Sequence, residues 1–390
     1  MASQTAGIRS EESGIDVLTG RGVTVRFGSE IESVSDDGAA LSEVYVAPAW
    51  IDIQVNGFAG VDYNNPQAPH DEIARSIDVL FSTGVARFFP TVITGAPDDM
   101  TGALRNLADA KERLPEGGAI EGFHVEGPHI SPDDGPRGAH PRRWVRKPDV
   151  HEFHRMQEAA RGKIKVVTLS PEWPEAPRYI ERLTEEGVTV SIGHMNADAA
   201  QIQAAVAAGA RMSTHIGNGS HQTMQRHPNY IWEQLADDRL AAGFIVDGIH
   251  LGAAFLKVAL RAKTTERAIL VTDAAPPAAA APGRYRLGEQ DVDHTEDGRV
   301  VLAGTNRLAG SALRMDRGVG NLMLLAGLKL ADAVQMATVN PARVTSIAGR
   351  QRGLSTGDRG DIVVFTYENH RIAIQRTYLS GRRVYSAHGV

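Results

Sequence analysis

The chain has 390 residues, 42% of them hydrophobic and 23% charged, the proportions of a soluble globular protein long enough to bury a large core. Its formal net charge is −6 and it carries no run of five basic residues, which excludes nucleic acid and an anionic membrane as evident partners. It has no cysteine, so disulfides, thiolate metal sites, iron–sulfur clusters and cysteine nucleophiles are excluded together.

In chain order, "MASQTAGIRSEESGIDVL" lacks the apolar stretch of a secretory signal, and no later segment approaches 18 uninterrupted apolar residues. The expectation is a cytoplasmic protein. "VTVRF" and "EVYVA" predict two small strands. Eight short apolar runs follow: "WIDIQVNG", "ARFFPTVIT", "IEGFHVEGP", "KVVTLSP", "VTVSIGHM", "RMSTHIGN", "AGFIVDGIH" and "AILVTDAA". Stretches with helical spacing, such as "HDEIARSIDVLFSTG", "DDMTGALRNLADAKERL" and "ADAAQIQAAVAAG", separate most of them. This alternation predicts an α/β fold, a (β/α)8 TIM-like barrel. Directly after the eighth run, "AAPPAAAAPG" at 274–283 predicts a mobile loop over the rim. "LAGSALRMDRGVGNLMLLAGLKLADAVQMATVNPARVTSI" predicts two helices, and "GDIVVFTYEN", "IAIQRTYLSG" and "RRVYSAHG" predict antiparallel strands. The terminal strands are expected to form a small β-sandwich domain from residues 1–47 and 351–390, with the barrel spanning 48–350.

The chemistry lies at the ends of the runs. In "GFHVEGPHIS" the strand breaks at Gly127-Pro128, which leaves Glu126 at the rim, where β/α-barrel enzymes keep their reacting groups. His194 and His215 end two further runs. A single histidine near an apolar run is ordinarily a satisfied core residue; a carboxylate and two imidazoles at three strand ends make a ligand set for a divalent ion. Zinc suits it best, and Fe2+, Mn2+ or Co2+ are compatible. Asp273, in "LVTDAA", ends the eighth run and is suited to take a proton from water and deliver it to a leaving amine. No G-x-G-x-x-G opening a helix, no G-x-x-x-x-G-K-[ST] and no G-x-S-x-G occurs, which removes nucleotide-binding and serine-hydrolase readings.

"APAWIDIQVNGFAGVDYN", "GFHVEGPHIS...RGAH", "SIGHMNADAAQIQAAVAAGA", "STHIGNG", "VDGIHL", "LVTDA" and "LAGSALRMD" resemble, in order, the motif series of the N-acetylglucosamine-6-phosphate deacetylase family of the amidohydrolase superfamily. The resemblance runs from about residue 47 to the C-terminus. It implies a metal-dependent barrel with a small β domain from both termini. It also implies Glu126, His194 and His215 as metal ligands, Asp273 as the catalytic aspartate and His140 as the group that stabilises the oxyanion. Asn218, Gly219 and His250 match substrate-binding positions. Arg226 matches a phosphate-binding arginine contributed by the neighbouring subunit, which implies a homodimer. Where many amidohydrolases carry His-x-His for a second metal, this chain has Gln54 and Asn56, neutral amides that are poor transition-metal ligands, so one metal is expected.

The resemblance implies hydrolysis of the N-acetyl group of an amino sugar, N-acetylglucosamine-6-phosphate first. The segment "HIGNGSHQTMQRHPNYIW" departs from the family, bringing His221 and His227, and keeps open an amidohydrolase acting on a different N-acyl or cyclic amide without phosphate. A non-catalytic metal- or sugar-binding paralogue is the third reading; it would have no use for the proton shuttle at Asp273.

Overall fold

The computed structural model describes residues 9–38 and 43–387. The remaining residues of the expected terminal domain lie outside the described residues.

Four N-terminal strands open the chain: β1 (Ser10–Asp16), β2 (Gly22–Phe27), β3 (Ile31–Gly38) and β4 (Val44–Pro48). β5 (Trp50–Val55) begins the barrel, and β6 (Gly57–Phe58) and β7 (Val61–Asp62) make a short ribbon above it. The barrel continues with β8 (Val85–Ile93), β9 (Phe123–Glu126), β10 (Ile164–Leu169), β11 (Thr189–Ile192), β12 (Met212–Ser213), β13 (Ala241–Ile245) and β14 (Ala268–Val271). These eight strands run parallel in sequence order, one for each apolar run. Val55 bridges Ala274, and the Asp52 carboxylate accepts the Thr272 hydroxyl, so the last strand closes on the first.

Both faces of this sheet are buried, which is why its strands read as near-continuous apolar runs. Phe89, Val166, Ile245, Ile269 and Val271 fill the barrel interior, while their neighbours Phe88, Val167, Phe244 and Leu270 pack outward under the helices. On β9 the outward positions are Phe123 and Val125, so His124 and Glu126 face inward. Helices His70–Phe81, Pro97–Arg113 and Ala199–Ala208 occupy predicted stretches; Asp198 and Gln201 close the last with a capping box.

The chain departs from expectation after β14. Residues 274–278 are buried rather than mobile: Asn56 and Gly57 donate backbone N–H groups to the Ala274 carbonyl, and Ala59 donates to Ala278. A three-stranded antiparallel sheet follows, β15 (Gly283–Leu287), β16 (Gln290–His294) and β17 (Val300–Leu302). The predicted second helix is two, Leu330–Ala337 and Val339–Val344, broken at Thr338 because Pro341 has no N–H to continue the ladder.

β18 (Ile362–Glu368), β19 (Arg371–Leu379) and β20 (Arg382–Ser386) return to the N-terminal strands, giving a seven-stranded sheet in the order β20-β19-β18-β4-β1-β2-β3. The sheet curls over itself: Phe27 on β2 meets Tyr378 on β19 edge-on at 5.0 Å between ring centroids, although three strands separate them. Its outer face joins the barrel core through Val363 and Phe365. A buried ion cluster adds to that junction, with Asp361 accepting from Arg87 Nε at 2.9 Å and from Arg350 Nη1 at 2.7 Å. Among the described residues no helix is long and apolar enough to cross a membrane.

Candidate active site and metal centre

Each functional side chain stands where a barrel strand ends in a sharp turn. Glu126 ends β9, and Gly127 follows at φ 85°, where a Cβ would lie 2.2 Å from Thr94 Oγ1, so only glycine turns the chain there. His194, His215 and Asp273, just past β11, β12 and β14, have φ of 49°, 26° and 49°. Positive φ in non-glycine residues is strained, and three such residues at one barrel mouth mark a site whose geometry the surrounding fold enforces.

The side chains converge. Glu126 Oε1 is 3.0 Å from His215 Nε2 and 3.2 Å from His194 Nε2, and the two Nε2 atoms are 3.0 Å apart. His194 Nδ1 lies 2.8 Å from the Pro136 carbonyl. A carbonyl only accepts, so Nδ1 carries the proton and Nε2 turns a lone pair toward the carboxylate. Lone pairs converging in a buried space fit a cation. Ligand atoms of Glu126, His140 and His194 also lie within 4.8 Å of one another, which brings His140 to the same centre. Without a metal, protons do this work. Burial would raise the Glu126 carboxyl, but hydrogen bonds and charge from His194 and His215 hold it well below its ordinary value. Burial would lower His215, yet Glu126 raises it.

Gln54 and Asn56 serve the carboxylates. Gln54 Nε2 donates to Glu126 Oε1 at 3.0 Å, and Asn56 Nδ2 donates to Asp273 Oδ1 at 2.7 Å. The register of β5 against β8 shifts between Asp52 and Val55, an irregularity of the kind that re-aims side chains at strand ends. Burial and the nearby Glu126 charge push Asp273 up to about 6, opposed by His215 and Asn56. Burial, then the charge of His194, push His140 down to about 3, which leaves it neutral. A carboxylate near its titration point and a neutral imidazole are suited to proton transfer and to hydrogen-bond donation.

The centre lies in a cavity of about 1000 Å³, which Asn218, Gly219 and His250 also line. A Cβ on Gly219 would sit 2.6 Å from His194 Nδ1, so this position holds the backbone against the His194 ring. His250 is braced by Asp247 Oδ2, 2.6 Å from its Nδ1. Arg226 is exposed and lies outside the cavity of its own chain. His221 lines the cavity, its Nδ1 3.0 Å from the Tyr230 hydroxyl, whereas His227 is exposed. The sequence reading missed one wall: Leu287, Gln290 and residues 305–308 come from β15 to β17 and the turn beyond. Their signal is the alternation in "RYRLGEQDVDH" beside the turn residues "EDG".

The model of the amidohydrolase family matches residues 45–384. The chain is 34% identical over 371 residues to an N-acetylglucosamine-6-phosphate deacetylase of Mus musculus, covering 92% of this chain and 88% of the relative. It is 32% identical over 338 residues to an N-acetylgalactosamine-6-phosphate deacetylase of Escherichia coli O157:H7, covering 86% and 87%. It is also similar to the solved structure of an N-acetyl-D-glucosamine-6-phosphate deacetylase mutant of Mycobacterium smegmatis in complex with N-acetyl-D-glucosamine-6-phosphate, with a TM-score of 0.85 and 29% identity over 94% of this chain and 95% of that one. With the barrel, the strand-end carboxylate and imidazoles and this likeness along its length, the chain belongs to the amidohydrolase family, among the N-acetylglucosamine-6-phosphate deacetylases.

Proposed function

We propose that the protein hydrolyses the acetamide of N-acetylglucosamine-6-phosphate to glucosamine-6-phosphate and acetate. The observation that carries this reading is the convergence of Glu126, His194, His215 and Asp273 in one cavity of a chain similar throughout to deacetylases of that sugar phosphate. Glu126, His194 and His215 would hold one divalent ion, zinc by their donor types, which when bound supplies Lewis acidity and lowers the pKa of water. The amide donors of Gln54 and Asn56, spent on the two carboxylates, favour one ion over two.

Asp273 takes the proton of the attacking water as its oxygen adds to the acetyl carbon. The neutral ring of His140 donates to the carbonyl oxygen as negative charge builds there. Asp273 then returns the proton to the sugar nitrogen as the C–N bond breaks, leaving an amine and acetate. Asn218, Gly219 and His250 bind the sugar. Arg226, exposed and away from its own cavity, suits a role at a partner's cavity in a homodimer. A cytoplasmic setting agrees with a cysteine-free chain acting on a sugar phosphate, and the division at 1–47 with 351–390 against 48–350 agrees with the two sheets.

Acetate release by metal-loaded protein tests this. Turnover of N-acetylglucosamine-6-phosphate above its galactosamine epimer is expected, and release from neither overturns the substrate.

A further inference from the structure

Resting on the deacetylase reading, we infer that Gln290, on the β15–β16 hairpin, is a positioning residue for the reaction: it fixes where His140 stands by holding the backbone that carries it. The other four histidines that line the cavity each have a bond to the ring. His194 is braced at Nδ1 by the Pro136 carbonyl, His221 by the Tyr230 hydroxyl and His250 by Asp247, while His215 meets Glu126 at Nε2. His140 differs. Its buried Nδ1 has no hydrogen-bond partner among the described residues, and its ring stands edge-on to His194 with centroids 4.5 Å apart. A ring without a brace of its own is placed by its backbone and its packing.

That backbone is gripped at three successive carbonyls. Gly138 accepts from Arg307 Nη1 at 3.3 Å, Ala139 from Gln290 Nε2 at 2.6 Å and His140 from Arg137 Nη1 at 2.7 Å. A carbonyl only accepts, so the Gln290 amide turns its nitrogen toward Ala139. Arg137 belongs to the same loop as His140 and cannot anchor it from outside. Gln290 can, since its bond joins residues 151 apart in sequence and is the shortest of the three. The hairpin is itself a firm root: Gly288 at its turn donates N–H to Asp62 Oδ2 at 2.7 Å, and Leu287 packs in one apolar cluster with Ala139. Beyond His140, Trp144 Nε1 donates to Glu289 at 2.9 Å, so the hairpin ties the loop on both sides of the histidine. A donor to the developing oxyanion must stand at the right point, and a displacement of about 1 Å costs up to about 100-fold. Gln290 therefore acts on kcat through His140.

The test is a double-mutant cycle on N-acetylglucosamine-6-phosphate at matched metal content. It pairs Gln290→Met, which keeps the length of the side chain and removes its donor, with His140→Ala. Gln290→Met alone should lower kcat about 10- to 100-fold and leave KM within about twofold. In the His140→Ala background the same change should cost less than about twofold, because the ring it positions is gone. An equal loss in both backgrounds, an unchanged kcat or a loss confined to KM overturns the inference. If wild type releases no acetate, the deacetylase reading fails separately, and amide hydrogen exchange of wild type and Gln290→Met decides for Gln290. The readout is the loop 137–145, where the N–H groups of Gly138, His140 and Trp144 are bonded within the loop. Exchange faster there by about fivefold or more, with the barrel strands unchanged, supports the positioning role, and unchanged exchange overturns it.

Discussion

Asn56 donates its side-chain amide to Asp273 Oδ1 across 2.7 Å, tying the end of the first barrel strand to the carboxylate that follows the last. A carboxylate only accepts, so this bond favours the ionised form of Asp273 and opposes the burial that pushes it up to about 6. Replacing Asn56 with Asp removes the donor and adds a like charge, and both changes raise the Asp273 pKa. The acid limb of the kcat/KM profile should therefore move to higher pH by about one unit or more, with kcat/KM at pH 7 falling about twofold for a one-unit shift and about tenfold for two. An unmoved limb would separate Asp273 from the rate-determining proton.

Gln54 plays the corresponding part for the proposed metal centre, donating to the Glu126 oxygen that both histidines approach. Gln54→Leu keeps the ligands and removes the group that orients one of them. Zinc affinity should fall about 10- to 100-fold, read by competition with a chromophoric chelator. Binding should also release a proton, because His215 is raised by Glu126 in the metal-free protein; the calorimetric heat should then differ between buffers of different ionisation enthalpy.

Gly219 offers a steric test of the same centre. A methyl group there would stand 2.6 Å from His194 Nδ1, on a backbone at φ 54°. Gly219→Ala should displace the His194 ring, lower zinc occupancy after dialysis and cost about 1–3 kcal/mol in urea unfolding. Full occupancy would mean that the ring yields without leaving the centre.

At the junction of sheet and barrel, burial would raise Asp361, but the charges of Arg350 and Arg87 hold it down at about 2. A depressed carboxyl contributes stability that is present above its ordinary value of 3.8 and is lost as pH falls through the folded value. Asp361→Asn should destabilise by about 3–5 kcal/mol at pH 7, since it leaves Arg350 buried without its counter-charge. The gap between wild type and variant should narrow from about pH 4 toward pH 2, in chemical denaturation followed by circular dichroism.

The barrel is legible because its strands are buried on both faces, a condition that writes itself locally as apolar runs ending in polar residues. Glu126, His194, His215 and Asp273 are legible for the same reason, each standing at the end of such a run or just past it. β1 is not: its inward positions are Glu12, Gly14 and Asp16, and Glu12 is satisfied by Arg376, which donates from Nε at 2.6 Å and from Nη2 at 2.8 Å. No local pattern announces a partner so far along the chain. "AAPPAAAAPG" misleads in the opposite direction, because small residues that look mobile in composition are those able to pack tightly beside β6, held by backbone bonds to Asn56 and Gly57. The wall carrying Gln290 stays hidden until β15–β17 are seen to fold over the barrel mouth.

In the proposed reaction Asp273 moves the proton, while Glu126, His194 and His215 hold the metal without it. The direct measurement is acetate release from N-acetylglucosamine-6-phosphate by wild type and Asp273→Asn, with metal content determined on the same samples. Equal metal in both proteins, with the rate of the variant lower by about 10²- to 10⁴-fold, is the predicted result. Equal rates at equal metal content would contradict it and pass the proton to another group.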